Sequence, residues 1–156
     1  MKLALRHTLP ADAPRASRIG ADVILARLVT QYSHAGIVIG GDLYHSNASH
    51  GVHVERSADL SGYTLVDLGS ENDARALALF AQVEGKGYDW ASLLAFVVDG
   101  VTDSQRWYCF ELCWLLMTGT APKQRITAET LLTEALSQRG GLLSPAPAVR
   151  SVPMEL

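Results

Sequence analysis

An α+β domain, a small antiparallel sheet packed against helices, is what the sequence predicts, on three observations. Residues 21–66 hold short β-rich runs separated by Gly, Asn, Ser and Asp clusters. Gly40-Gly41-Asp42 lies between two of these runs as a hairpin turn. From Ser70 onward apolar residues recur at helical rather than strand intervals. Strands first and helices later point to an α+β domain and away from an alternating parallel sheet.

In chain order, the expected strands are Asp22–Leu28, Ala35–Ile39, Leu43–Ser46, Gly51–Glu55 and Tyr63–Asp67. Ser70 and Asp73 have the spacing of a capping box, and Ala74, Leu77, Ala78 and Ala81 continue a helix until Gly85. A second helix is expected from Trp90 towards Val98. A third runs from about Tyr108 to Met117 and ends at Gly119 and Pro122. Thr127 caps a fourth, with Leu131, Leu132, Ala135 and Leu136 as its buried stripe. The domain is placed at residues 1–141, with its core at about 20–137. Residues 142–156, which hold Pro145, Pro147 and Pro153, read as an extended arm.

Composition narrows the function classes. The 156 residues are 48% hydrophobic and 19% charged, with a net charge of −3, an ordinary balance for one folded domain that buries roughly 70% of its unfolded surface. Without a clustered excess of Lys and Arg, nucleic acid is not an expected partner. The opening MKLALRHTLPADAPRAS lacks the apolar run of about 7–15 residues of an export leader, and stretches such as Ala91–Val98 are far short of the roughly 20 residues that span a bilayer. A soluble, cytoplasmic or phage-associated protein without a transmembrane segment is expected. The 2 cysteines, Cys109 and Cys113, are one helical turn apart, a poor geometry for a bridge, and read as thiols.

Two segments concentrate chemistry. Ser33–His53 carries four of the 5 histidines. The turn at Gly40-Gly41 folds His34 back towards His45, an arrangement suited to a general base whose tautomer is held by a second polar ring; half-buried sheet histidines are the plainer alternative. In Trp107–Leu116, Cys109 stands at a helix start, where unpaired backbone N–H groups and the helix dipole favour thiolate and are able to hold an oxyanion. Buried free thiols are common, so a small core hydrophobe is the alternative for Cys109 and the simplest reading of Cys113. Glu111 orients the loop, pairs with a cation, or is a solvated first-turn acid. Tyr88, Trp107 and Tyr108 wall a groove or pack under the helix. His50 and His53 contact substrate from a loop or are surface residues. His50 and His53 with Cys109 and Cys113 also supply the ligand types of a structural zinc, a less favoured option because the Cys-x-x-x-Cys spacing is loose; no metal or other cofactor is expected.

SHAGIVIG…LYHSNASHGV followed by WYCFEL resembles the NlpC-type papain-like cysteine peptidases, in the circularly permuted branch whose histidine strands precede the cysteine helix. The resemblance spans about Gly20–Leu136 and includes Gly85–Trp90 and Ile126–Leu131. It implies Cys109 as nucleophile, His34 as general base and His45 as the residue orienting it, with Tyr88 lining the site. The implied activity is a thiol hydrolase acting on an amide or ester bond, in a cell-wall peptide or a lipid-linked acyl group, with a peptide or acyl substrate as partner. Phe110 departs from the Ser usual after the nucleophile, and it supports the alternative of a papain-like binding module without catalysis.

Overall fold

The computed structural model describes residues 1–7, 31–89 and 106–139. The expected strand at Asp22–Leu28, the expected helix from Trp90 and the C-terminal arm lie outside the described residues.

Five strands form one antiparallel sheet: β1 (Lys2–Arg6), β2 (His34–Ile39), β3 (Asp42–Asn47), β4 (Gly51–Glu55) and β5 (Tyr63–Asp67), in the order β4-β3-β2-β1-β5. Three helices, α1 (Asp73–Val83), α2 (Cys109–Thr118) and α3 (Ala128–Arg139), complete the described elements. The class is therefore α+β. Gly40 and Gly41, with φ of 62° and 92°, make the expected two-residue turn and set Ile39 opposite Asp42 and Gly36 opposite His45.

One interior strand of the sheet, β1, falls in a segment that the sequence assigns to no element. β1 pairs with β2 on one side and β5 on the other, and Leu3, Ala4 and Leu5 are fully buried. The core thus starts well before residue 20. Because both faces of β1 are covered, its apolar run shows no in–out alternation, and its five residues are too few for periodicity to separate strand from helix.

The two faces bury different sets. Leu3, Leu5, Ala35, Ile37 and Tyr44 face the helices, whereas Ala4, Val38 and Leu43 pack beneath Ala58, Leu60 and Tyr63 on the far side. α2 is the central helix, packing on β2, β3, α1 and α3, with seven of its ten residues buried. It starts at Cys109 and closes on Gly119 in the left-handed conformation, as expected.

Helix α1 departs from expectation. No side-chain cap forms; the N-cap is Asn72, and Ala76, Phe80 and Val83 are the buried residues, with Leu77 exposed. The alanines that suggested the stripe bury little area, so the bulkier Phe80, edge-on to Tyr44 at 4.9 Å, decides which face turns inward. In α3 the Thr127 hydroxyl does accept from the Thr130 N–H at 3.2 Å, but Leu136, expected in the buried stripe, is exposed.

Candidate active site

The histidine hairpin brings together what the spacing suggests. His45 sits opposite Gly36, whose missing side chain leaves the diagonal towards His34 open: a Cβ there would lie 2.5 Å from Leu43 Cδ1 and 3.1 Å from His45 Cβ. His34 Nε2 and His45 Nδ1 are 2.8 Å apart, with the rings edge-on. The contact continues beyond this pair. His45 Nε2 lies 2.9 Å from His53 Nε2, and His53 Nδ1 lies 3.0 Å from the Gly51 carbonyl. His50 stacks at an angle on His53, with centroids 5.2 Å apart, from the exposed loop.

Both inner imidazoles are held neutral. Burial first, then the positive charge of Arg6, lowers His34 to about 4; burial, then the neighbouring His34, lowers His45 to about 2.

Cys109 begins α2 against the start of β2, and the backbone N–H groups of Ala35, Phe110 and Cys109 itself are directed at its sulfur. The amides lower the thiol pKa, as a helix start should. Complete burial opposes them and prevails, and the thiol is pushed up to about 12. The expectation of a resident thiolate is thereby corrected: the group is a neutral thiol, packed on the sheet face of Ala35 and Ile37, whereas the His34–His45 pair lies on the alternate face with Gly36 and Leu43. Cys113 is also fully buried, and burial raises its pKa well above the ordinary range.

Contacts on both sides stitch the cysteine to the histidine sheet. The Ser46 hydroxyl, next to His45, donates to the Trp107 carbonyl at 2.7 Å, and the Trp107 N–H donates to the Gly87 carbonyl at 3.2 Å. The Tyr108 hydroxyl donates to the Ile126 carbonyl at 2.7 Å and accepts from the Ile126 N–H at 3.0 Å. Trp107 and Tyr108, at 9% and 1% exposure, are buried residues that locate the helix start; the Tyr108 hydroxyl is paired internally, whereas the buried Trp107 Nε1 has no hydrogen-bond partner among the described residues.

Tyr88 and Glu111 lie within electrostatic reach of the thiol. Burial, then the charge of Cys109, raises the Tyr88 hydroxyl well above the usual phenol. Glu111, half-buried at the third position of α2, accepts from the Tyr108 N–H; burial outweighs that bond, and its carboxyl rises to about 7. The sequence reading did not place Arg6, which lies opposite His34 in the β1–β2 register with its guanidinium 4.9 Å above the Tyr63 ring. No motif marks Arg6, because its place depends on the unassigned β1.

The zinc option gathers no support. Cys109 and Cys113 lie in the α2 core while His53 is bonded to His45, and among the described residues no group of three or more His, Cys, Asp or Glu is arranged to hold a metal ion. Among the described residues no helix is long and apolar enough to cross a membrane. Comparisons with protein-family models, with curated proteins and with solved structures find nothing that matches the chain.

These protonation states predict a distinct acid response. From about pH 4.5 to 6.5 the unfolded chain binds protons on His34 and His45 that the folded chain refuses, so stability rises with pH. Glu111 works the other way, keeping a proton in the fold up to about pH 7 that the unfolded chain releases above about 4.5. Two proton differences less one leave a slope near pH 5.5 of about 1.4 kcal/mol per pH unit. Glu111→Gln should steepen it to about 2.8 kcal/mol per unit, read as urea unfolding free energy against pH. An unchanged slope would refute the raised carboxyl.

Proposed function

We propose that the domain is a thiol hydrolase that cleaves an amide or ester bond through an acyl-enzyme. Its plan is taken as papain-like, in the permuted order of the NlpC-type peptidases. The observation that carries this reading is the 2.8 Å contact of His34 Nε2 with His45 Nδ1, on a strand whose next residue after His34, Ala35, directs its backbone N–H at the cysteine that starts α2. With Nε2 engaged by His45, Nδ1 is the nitrogen of His34 left to serve the thiol.

Because thiol and imidazole are both neutral, the proton moves as the nucleophile attacks. His34 takes the proton from Cys109 Sγ while the sulfur bonds to the substrate carbonyl carbon, and backbone N–H groups at the start of α2 hold the resulting oxyanion. His34 then gives the proton to the leaving nitrogen or oxygen as the C–N or C–O bond breaks, forming a thioester. Water, deprotonated by His34, adds to the thioester; its collapse releases the acid and returns the proton to sulfur. His45 orients His34, Tyr88 borders the substrate beside Cys109, and His50 reaches it from the loop. The expected substrate is a peptide or an acyl group, of cell-wall or lipid-linked origin.

Iodoacetamide labelling, located by peptide mass mapping, tests the assignment. Cys109 should label faster than Cys113, at a rate still rising above pH 9 because burial holds the thiol up, and His34→Ala should slow it. Equal, slow labelling of both thiols would remove the nucleophile. One observation favours a second reading, a binding module on the same scaffold: Cys109 is 0% exposed and Phe110 follows it, also at 0%. That reading predicts an inert Cys109 and no hydrolysis across a panel of cell-wall peptides and acyl esters, with Cys109→Ala as the blank.

A further inference from the structure

His53, the third ring of the hydrogen-bonded series, does more than extend a polar cluster. A carbonyl oxygen only accepts, so the 3.0 Å contact between His53 Nδ1 and the Gly51 carbonyl requires the hydrogen to sit on Nδ1. In a neutral ring His53 Nε2 is then a bare acceptor. The 2.9 Å contact with His45 Nε2 is accordingly a bond donated by His45, and the Asn47 side-chain amide approaches the same acceptor at 3.4 Å. His45 carries its hydrogen on Nε2, which leaves its Nδ1 bare to accept from His34 Nε2–H at 2.8 Å. His34, carrying its hydrogen on Nε2, has its lone pair on Nδ1.

We infer that His53, anchored on the Gly51 carbonyl, is a positioning residue that fixes the tautomers of His45 and His34 and so leaves the basic nitrogen of His34 directed away from the histidine chain. Each bond in the series has one possible donor once the Gly51 carbonyl is set, so the orientation is transmitted without any charged ring. Among the described residues the carboxylate that approaches is Glu55, 3.9 Å from His45 Nε2, too far to capture the hydrogen that His53 accepts. The role of the directed lone pair rests on the thiol hydrolase reading; the tautomer order itself does not.

The two are separable by experiment. Long-range proton–nitrogen NMR of uniformly nitrogen-labelled protein at neutral pH distinguishes protonated from bare ring nitrogens. The expected bare nitrogens are Nδ1 of His34, Nδ1 of His45 and Nε2 of His53. In His53→Ala the two nitrogens of His34 should shift towards each other as a second tautomer becomes populated. His53→Gln should restore the single form, because the glutamine carbonyl accepts from His45 Nε2–H. A bare Nε2 on His34 in the unaltered protein overturns the inference, and does so even if His53→Ala fails to fold. Unmoved His34 signals in a folded His53→Ala also overturn it. The expected tautomers in a protein whose Cys109 never forms an acyl adduct would support the positioning role and contradict the hydrolase.

Discussion

Cys109→Ala should lower turnover of any substrate the protein accepts by at least about 10⁴-fold in kcat, the scale on which removing a covalent nucleophile acts, while leaving the fold in place. The loss is this large because nothing else at the site replaces the sulfur: Cys113 lies one turn further into the helix, fully buried. His34→Ala should cost about 10²–10⁴-fold, the range of a general base. Its effect should be severe here because a thiol at about 12 supplies almost no thiolate unaided. A His34→Ala protein within tenfold of the original rate would show that the imidazole does not take the proton. Cys109→Ser is a useful companion, since it keeps volume and hydrogen bonding while weakening the nucleophile, and separates chemistry from packing.

Gly51→Ala should destabilise the protein by about 3–5 kcal/mol, read as the midpoint shift in denaturant unfolding. Two costs combine. Gly51 has φ +67°, and a Cβ there would stand 2.2 Å from the Lys86 carbonyl oxygen and 3.2 Å from Gly87 Cα. The clash is with backbone that cannot rotate away, because the Lys86 carbonyl accepts from the Val52 N–H at 2.9 Å and the Gly85 N–H donates to the Val52 carbonyl at 2.9 Å. Gly41→Ala, at φ +92° with nothing within 4 Å, carries the conformational cost alone and should lose about 1 kcal/mol. Equal losses at the two positions would contradict the close approach of the Lys86–Gly87 segment, which leads into Tyr88, within electrostatic reach of Cys109.

What could be read in advance follows the reach of each signal. The β2–β3 hairpin and the start and end of α2 were legible because turn glycines, a helix-ending glycine and a run of apolar residues act locally. The pairing of His34 with His45 was legible for the same reason, as a consequence of hairpin register. β1 was not, since its five residues owe their strand conformation to neighbours on both sides. Arg6 is not marked as a site residue, and His53 reads as a substrate contact or surface residue and not as the partner of His45, because one depends on β1 lying beside His34 and the other on β4 lying beside His45. The buried face of α1 was offset because small alanines mark a period without deciding the direction. The protonation state of Cys109 was misjudged from the helix start alone: local dipoles are visible in sequence, whereas the desolvation that outweighs them comes from packing.

The central claim is that Cys109, served by His34, forms a covalent acyl intermediate. Mixing the protein with an activated nitrophenyl acyl ester and mapping the adduct by fragment mass spectrometry tests it most directly. The account predicts a burst of nitrophenol and an acyl group on Cys109, absent in Cys109→Ala and formed at least about 10²-fold more slowly in His34→Ala. Acylation of Cys113 instead, or an adduct on Cys109 that forms equally fast without His34, would contradict it.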